Sequence, residues 1–509
     1  MFFKNTRKTL KDSFFIKNDH RNSWCCKLTS VFLLLLFSSI SVHYFSSYKN
    51  SISQNIDLSK ITPKPFAKNP NPKPKDPCLG RYIYMYDLPS RFNIDLVKNC
   101  STIAKWFNHC PYVVNGGFGP LFNYTSEDES AFASTNSWYE TNQFMLSVIF
   151  HDRMKNYKCL TKNSSLASAI YAPFYAGLEV RKYLDESDLS VRDAGAVAFA
   201  SWIRAQPEWG RDSGWDHFFV VGRINWDFRR LSYTTSNWGS KLLNLPESRN
   251  MTMLTIESSP FGNNDFAIPY PTYFHPSRDS EVYEWQTRVT RSKRRYLFAF
   301  GGAPRPNATG SIREELIKQC QNATKNRCNL VNCKPGDEMC VKPSHFIKTY
   351  LQTDFCLQPP GDSFTRRSTF DSILAGCIPV FFHPGSAYAQ YMWHFPRNYT
   401  KYSVFIPIKG IENRTVRVEE VLSKYSERDI SAMRQEVVGL IPRIIYARKK
   451  LETIEDAFDI TVNSVLKRID ENVRQVREGK NPYGGFPEYA SWKYHLTGGV
   501  GKHEWDSYF

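Results

Sequence analysis

From residue 82 onward, short unbroken apolar runs alternate with longer stretches of helical period. Tyr82 to Tyr86, Ala169 to Phe174, Phe218 to Ile224 and Met251 to Ile256 read as buried strands, with helical patterns at Tyr139 to Lys155 and Leu178 to Trp202 between them. A charged stretch, Arg288 to Arg295, interrupts the pattern. It restarts with runs at Tyr296 to Phe300, Phe355 to Gln358, Ile378 to Phe382 and Val404 to Ile408. Such alternation predicts parallel sheets covered by helices, and the restart predicts two α/β lobes rather than one large sheet. We place them at 78–287 and 288–465. Ser426 to Gly479 is expected to form one or two long helices, because Ile430, Met433, Val437, Leu440, Ile441 and Ile444 recur at spacings of three and four. The remainder, 466–509, ends in a tail rich in Gly, Tyr and Trp that is read as folding back on the first lobe.

The N-terminus follows a different pattern. Leu28 to Phe45 is mostly apolar, and Lys4, Arg7, Lys8, Lys11, Lys17, Arg21 and Lys27 precede it. This predicts a cytosolic tail at 1–27, a transmembrane signal anchor at 28–45 and a type II orientation. A cleaved signal peptide is the rival, but the leading segment is long and no clear small-x-small site follows. The span barely crosses a bilayer of roughly 30 Å, which suits a thin early-secretory membrane. Residues 46–77 turn polar and repeat Pro with Lys and Asn, as an extended stem would.

Charge changes this picture little. The 509-residue chain carries +17, but residues 1–77 hold 13 Lys/Arg against 4 Asp/Glu, leaving +8 for the lobes. Basic residues therefore cluster beside the apolar run and not on a folded face, which argues against nucleic-acid binding. Of the 12 cysteines, 10 lie beyond the anchor, where an oxidising lumen permits disulfides. Cys320, Cys328, Cys333 and Cys340 lack the C-x2-C spacing of structural zinc and read as a disulfide-stapled loop. Sequons at Asn99, Asn123, Asn163, Asn250, Asn307, Asn322, Asn398 and Asn413 fit a lumenal placement.

The chemistry concentrates between Phe355 and Phe382 (FCLQPPGDSFTRRSTFDSILAGCIPVFF). A strand ends in a Gly361-containing turn, a helix is expected from about Phe364 to Ala375, and Gly376 closes it. A helix N-terminus attracts phosphate, and Ser363, Thr365, Arg366 and Arg367 add hydroxyls and positive charge. Asp371 shares a face with Arg367 and could accept hydrogen bonds from a ribose; an ordinary i,i+4 ion pair with capping hydroxyls explains the same residues equally well. Neither a Walker A loop nor a G-x-G-x-x-G fingerprint occurs.

This stretch resembles the donor-binding segment of the exostosin family, family 47 of the glycosyltransferases. Further blocks agree in order: YMYDLPSRFN from Tyr84, WYETNQFMLSVIFH from Trp138, YAPFYAGL from Tyr171, WDHFFVVGRINWDFRR from Trp215, DFAIPYPTYFHP from Asp265 and RYLFAFGG from Arg295. They are similar to the plant xyloglucan galactosyltransferase branch, over roughly Cys78 to Phe509.

The resemblance implies a GT-B fold of two facing Rossmann-like domains, acceptor mainly on the first and nucleotide sugar mainly on the second. It implies a Golgi type II membrane enzyme that transfers galactose with inversion from UDP-galactose to xylose of xyloglucan through a β-1,2 linkage, alongside other Golgi glycosyltransferases. Relatives using galacturonic acid or arabinose, or a mannan acceptor, remain alternatives, as do a glycoside hydrolase and a non-catalytic polysaccharide-binding protein. GT-B enzymes generally need no metal, so no cofactor is expected and arginines take the leaving-group charge.

On the matching positions, Gly361, Ser363, Arg366, Arg367 and Asp371 are candidates for the donor; Arg313, on a helix expected after the Gly301-Gly302 turn, is a second candidate for the phosphates, and a solvated Arg on a surface helix explains it equally well. Tyr139, Trp215, Arg223 and Trp226 are candidates for the acceptor, and Trp138 and Trp238 are further aromatics that could stack on sugars. Asp265 is the preferred catalytic base, with Glu140, Asp216 and His217 as rivals.

Overall fold

The computed structural model describes residues 76–123, 132, 135–230, 238–305, 310–333, 342–484 and 490–509. The expected anchor, nearly all of the stem, Asn307 and Cys340 lie outside the described residues, among which no helix is long and apolar enough to cross a membrane.

Six strands, β1 (Tyr82–Met85), β2 (Leu160–Thr161), β3 (Ala167–Tyr171), β4 (His217–Val220), β5 (Thr252–Thr255) and β6 (Asp265–Ala267), form one sheet in the order β2-β1-β3-β4-β5-β6. Five more, β7 (Tyr296–Gly302), β8 (Cys328–Asn332), β9 (Thr353–Gln358), β10 (Ile378–Phe381) and β11 (Val404–Phe405), form a second in the order β11-β10-β9-β7-β8. Every pairing is parallel. β4, β5 and β10 are buried at every position, which is why they read as continuous apolar runs and not as alternation. These are the two Rossmann-like lobes that the restarted pattern predicts, in the GT-B arrangement that the resemblance implies.

The longer helices are α1 (Leu146–Lys155), α2 (Ala176–Tyr183), α3 (Leu189–Arg204), α4 (Asp279–Arg291), α5 (Arg313–Gln321), α6 (Pro343–Leu351), α7 (Arg367–Leu374), α8 (Glu427–Ile444), α9 (Ala457–Arg477) and α10 (Ser491–Thr497). The stretch expected as one helix over 178–202 is two, because Asp188 starts α3 by accepting the Ser190 amide hydrogen. α8 buries Met433, Val437, Leu440, Ile441 and Ile444 on the predicted stripe.

α9 begins in a capping box on Asp456, packs against β3 and carries Phe458, whose ring lies 4.7 Å from that of Phe150. The whole of α9 thus returns to the first lobe. Its fully buried Asp456 accepts hydrogen bonds from Arg153 of α1 at 3.2 Å and from the Ala447 amide at 2.8 Å, tying the crossover to both ends.

Disulfides join Cys78 to Cys159, Cys100 to Cys110, Cys320 to Cys328 and Cys356 to Cys377. The Cys320–Cys328 bond removes two thiols from the cluster weighed for zinc. Asn99, Asn123, Asn163, Asn322, Asn398 and Asn413 are exposed and Asn250 is half-buried.

Candidate active site

In an open parallel sheet, ligands sit at the carboxyl ends of the strands, where the winding direction reverses. In the second sheet that point lies between β7 and β9. A cavity of about 860 Å³ opens there. Its second-lobe wall is made by the end of β7 and the loop after it (Gly301, Gly302, Arg305), by the turn after β9 (Asp362, Ser363, Thr365, Arg366) and by Arg367 and Asp371 of α7. Its first-lobe wall follows β4 (Arg223, Ile224, Trp226, Asp227) and β6 (Tyr270, Tyr273), with Phe144 and Trp238. The cleft therefore runs between the carboxyl edges of the two sheets.

Three arginines converge on the second-lobe side. Arg313, buried at the start of α5, donates to the Pro360 carbonyl at 3.3 Å. Burial, with Arg366 and Arg305 repelling it, pushes its guanidinium down to about 10. Burial likewise lowers Arg366. The nearby carboxylate, Asp362, is already bidentate to Arg305 at 2.6 and 3.1 Å. The cluster thus carries surplus positive charge that an anion would neutralise. Gly361 lets both guanidiniums approach the turn: a Cβ there would lie 1.6 Å from Arg366 Nη1 and 2.8 Å from Arg313 Nη2 and would displace them.

Helix α7 starts at Arg367, three residues later than expected, because Thr365 is claimed from across the cleft. Glu257, fully buried just beyond β5, accepts hydrogen bonds from the Thr365 amide at 2.7 Å and its hydroxyl at 2.6 Å. Ser363 and the Phe364 amide add to this, opposing the upward push of burial on the Glu257 carboxyl. The hydroxyls expected to bind phosphate are thus engaged by a carboxylate of the other lobe, which shapes the turn that carries Arg366. Tyr270 braces the same contact, its hydroxyl 3.0 Å from Thr365 Oγ1.

Arg367 stands 3.6 Å above the Tyr273 ring, donates to the Thr141 carbonyl and lies 3.6 Å from Asp371. The ion-pair reading of that i,i+4 spacing is therefore correct, yet Asp371 Oδ1 keeps no hydrogen-bond partner among the described residues. Burial pushes its carboxyl up to about 6, against the pull of Arg367. Because that value is raised, the carboxylate takes a proton as pH falls through about 6, where an ordinary aspartate stays ionised. A ligand donating hydroxyl hydrogen bonds to Asp371 should bind several-fold more weakly at pH 5 than at pH 7. Titrating a UDP sugar, whose diphosphate keeps its charge across that range, checks this, and Asp371→Asn should flatten the dependence.

On the first-lobe wall, Trp226 and Trp238 are 58% and 50% exposed, unusual for indoles, and line the cavity together with Asp227. Asp227 is 2% exposed. It accepts a hydrogen bond from Trp238 Nε1 at 2.7 Å and another from Arg223 Nε, while the Arg223 guanidinium sits 4.0 Å above the Phe144 ring.

Other expected residues lie elsewhere. Asp265 opens β6 at its amino end, buried and held by Arg229 and the Ser259 amide, both at 2.6 Å. Asp216 and His217 open β4 in a buried relay with Arg211 and Tyr86, whose hydroxyl is 2.9 Å from His217 Nε2. Glu140 does not line the cleft; its backbone pairs with Pro120. Tyr139 is packed against Phe118 and His275, Trp138 against Phe274 and Trp285, and Trp215 against Tyr483. These three are core aromatics, the ordinary fate of large rings.

A model of the Exostosin GT47 domain matches residues 77–422. The chain is 49% identical over 440 residues to the xyloglucan galactosyltransferase MUR3 of Arabidopsis thaliana, covering 85% of this chain and 70% of that one. It is 50% identical over 444 residues to a probable xyloglucan galactosyltransferase, GT12, of the same plant, covering 86% of each. The xyloglucan-specific galacturonosyltransferase 1 of Arabidopsis thaliana is 40% identical over 407 residues, covering 79% of this chain and 59% of that one. An arginine-lined cleft at the switch point of the second sheet, and sequence agreement of this extent, lead to one assignment: the chain belongs to the exostosin family of glycosyltransferases.

Proposed function

We propose that this protein moves galactose from UDP-galactose onto xylose side chains of xyloglucan, inverting the anomeric centre to leave a β-1,2 linkage. The observation that carries the reading is the division of labour across the cleft. Surplus arginine charge and the half-satisfied Asp371 face two exposed indoles, as a nucleoside diphosphate and a pyranose chain require. The names of the relatives supply the sugar and the polymer. Arg366, Arg313 and Arg305 would stabilise the charge that develops on the leaving UDP, and Asp371 would accept ribose hydroxyls.

We assign the metal's usual task to these cations, because the carboxylates of the second-lobe wall are already paired with arginines. UDP affinity should therefore be unchanged by chelators. The protein is proposed to be a single-pass Golgi membrane enzyme with lumenal lobes, working beside other glycosyltransferases; exposed sequons and disulfides support a lumenal setting.

The test is a panel of UDP sugars offered to the purified lobes with xyloglucan oligosaccharides, and the product linkage read by NMR. Transfer from UDP-galactose is expected to lead. Preference for UDP-galacturonic acid, or for a mannan acceptor, would replace the donor or the polymer in this reading.

A further inference from the structure

A single displacement at the sugar carbon needs a base on the acceptor side of the cleft, and none of the four residues expected for that task lines it. Among the described residues of the first-lobe wall the choice is narrow. Arg223 is a cation, Tyr270 and Tyr273 are held in their protonated form by burial, and no histidine lines the cavity. Among the described residues, Asp227 is the one carboxylate on that wall. The other two, Asp362 and Asp371, stand across the cleft beside Arg305 and Arg367.

We propose that Asp227 is the catalytic base, steered by Trp238 and lining the cavity with Trp226, so that a pyranose resting on those indoles presents its hydroxyl to the carboxylate. The inference rests on the galactosyltransferase reading. Each carboxylate oxygen has one hydrogen bond accounted for, Oδ1 from Trp238 and Oδ2 from Arg223, and each keeps a further lone pair. The two bonds fix the orientation of the carboxylate, and an oriented base needs no reorganisation at the moment of reaction. Trp238 acts twice, stacking on the sugar and steering the base.

In the step, the acceptor oxygen forms its bond to C1 of galactose as the C1–O bond to the β-phosphate breaks. The bonding pair leaves with UDP, opposite Arg366. The hydroxyl proton passes to Asp227, which releases it to solvent as the product departs.

The experiment uses Asp227→Asn, which conserves shape. Turnover with UDP-galactose and xyloglucan oligosaccharide is expected to fall at least ~100-fold, within the usual contribution of general base catalysis. The Kd for UDP should stay within about twofold of wild type, because the diphosphate lies on the other wall. Azide needs no deprotonation, so it should restore UDP release in this variant and yield β-galactosyl azide. Turnover within about fivefold of wild type, loss of UDP binding, or no azide product would each overturn the assignment.

Should Asp227→Asn not fold, Asp227→Glu retains a carboxylate on a longer arm. Its pH–rate profile is expected to show a displaced acidic limb, and an unmoved limb would overturn the proposal. A wild-type protein that transfers no galactose would sink the parent reading along with this one. Normal wild-type transfer with an active Asp227→Asn would sink this one alone.

Discussion

Replacing Arg366 by alanine is expected to lower kcat by roughly 10²- to 10³-fold, the cost of deleting one preorganised partner for a developing negative charge. Arg366 stands at the N-cap of α7, and its guanidinium and that of Arg313 both approach Gly361 in the preceding turn. Its partial burial is what makes the loss large, since charge stabilisation strengthens where water is excluded. Arg305→Ala supplies the contrast. That side chain is 42% exposed and already neutralised by Asp362, so its removal should cost about tenfold or less. Steady-state kinetics with UDP-galactose separates the two, and equal effects would mean that burial does not set the contribution.

Glu257→Ala should be nearly as damaging, for a different reason. The substitution leaves the Thr365 amide unpaired and its hydroxyl with Tyr270 alone in a closed interior, and each hydrogen bond to a charged partner contributes about 1.5–3 kcal/mol. We expect a stability loss of about 3 kcal/mol by urea unfolding, after discounting for relaxation of the turn. The donor KM should rise at least about tenfold, because the turn from Ser363 to Thr365 no longer holds Arg366 in place. Glu257→Gln keeps an acceptor oxygen and should recover most of both losses. An unchanged donor KM in the alanine variant would show that the contact between lobes is not what shapes the donor turn.

Periodicity made the scaffold legible. Buried runs such as Phe218 to Ile224 and Ile378 to Phe382 are dense in apolar residues because both faces of a parallel sheet are covered, and their restart after Arg295 marked the second sheet. On the second-lobe wall, Ser363, Arg366, Arg367 and Asp371 could be read together because they lie within one strand-turn-helix unit, whereas Arg305, which follows β7, was not read. Thr365 was the exception, because its partner Glu257 is 108 residues away and local sequence cannot report it.

Strand polarity explains most of the first-lobe differences. Asp216, His217 and Trp215 stand at or before the amino end of β4, whereas Arg223, Trp226 and Asp227 follow its carboxyl end and reach the cleft. Likewise Asp265 opens β6, while Glu257 follows β5. Ligand sites in parallel sheets gather at carboxyl ends, so the position of a carboxylate relative to its apolar run was the available signal. Tyr139 and Glu140 precede a helix in an irregular segment, where no such rule applies.

The arginine cluster as the seat of the diphosphate is the claim from which the rest follows. A crystal structure of the lobes with UDP tests it most directly. Phosphate oxygens are expected within hydrogen-bonding distance of Arg366, and a ribose hydroxyl on Asp371 Oδ1. Nucleotide bound elsewhere, with Arg366 and Arg313 facing only solvent, would contradict it.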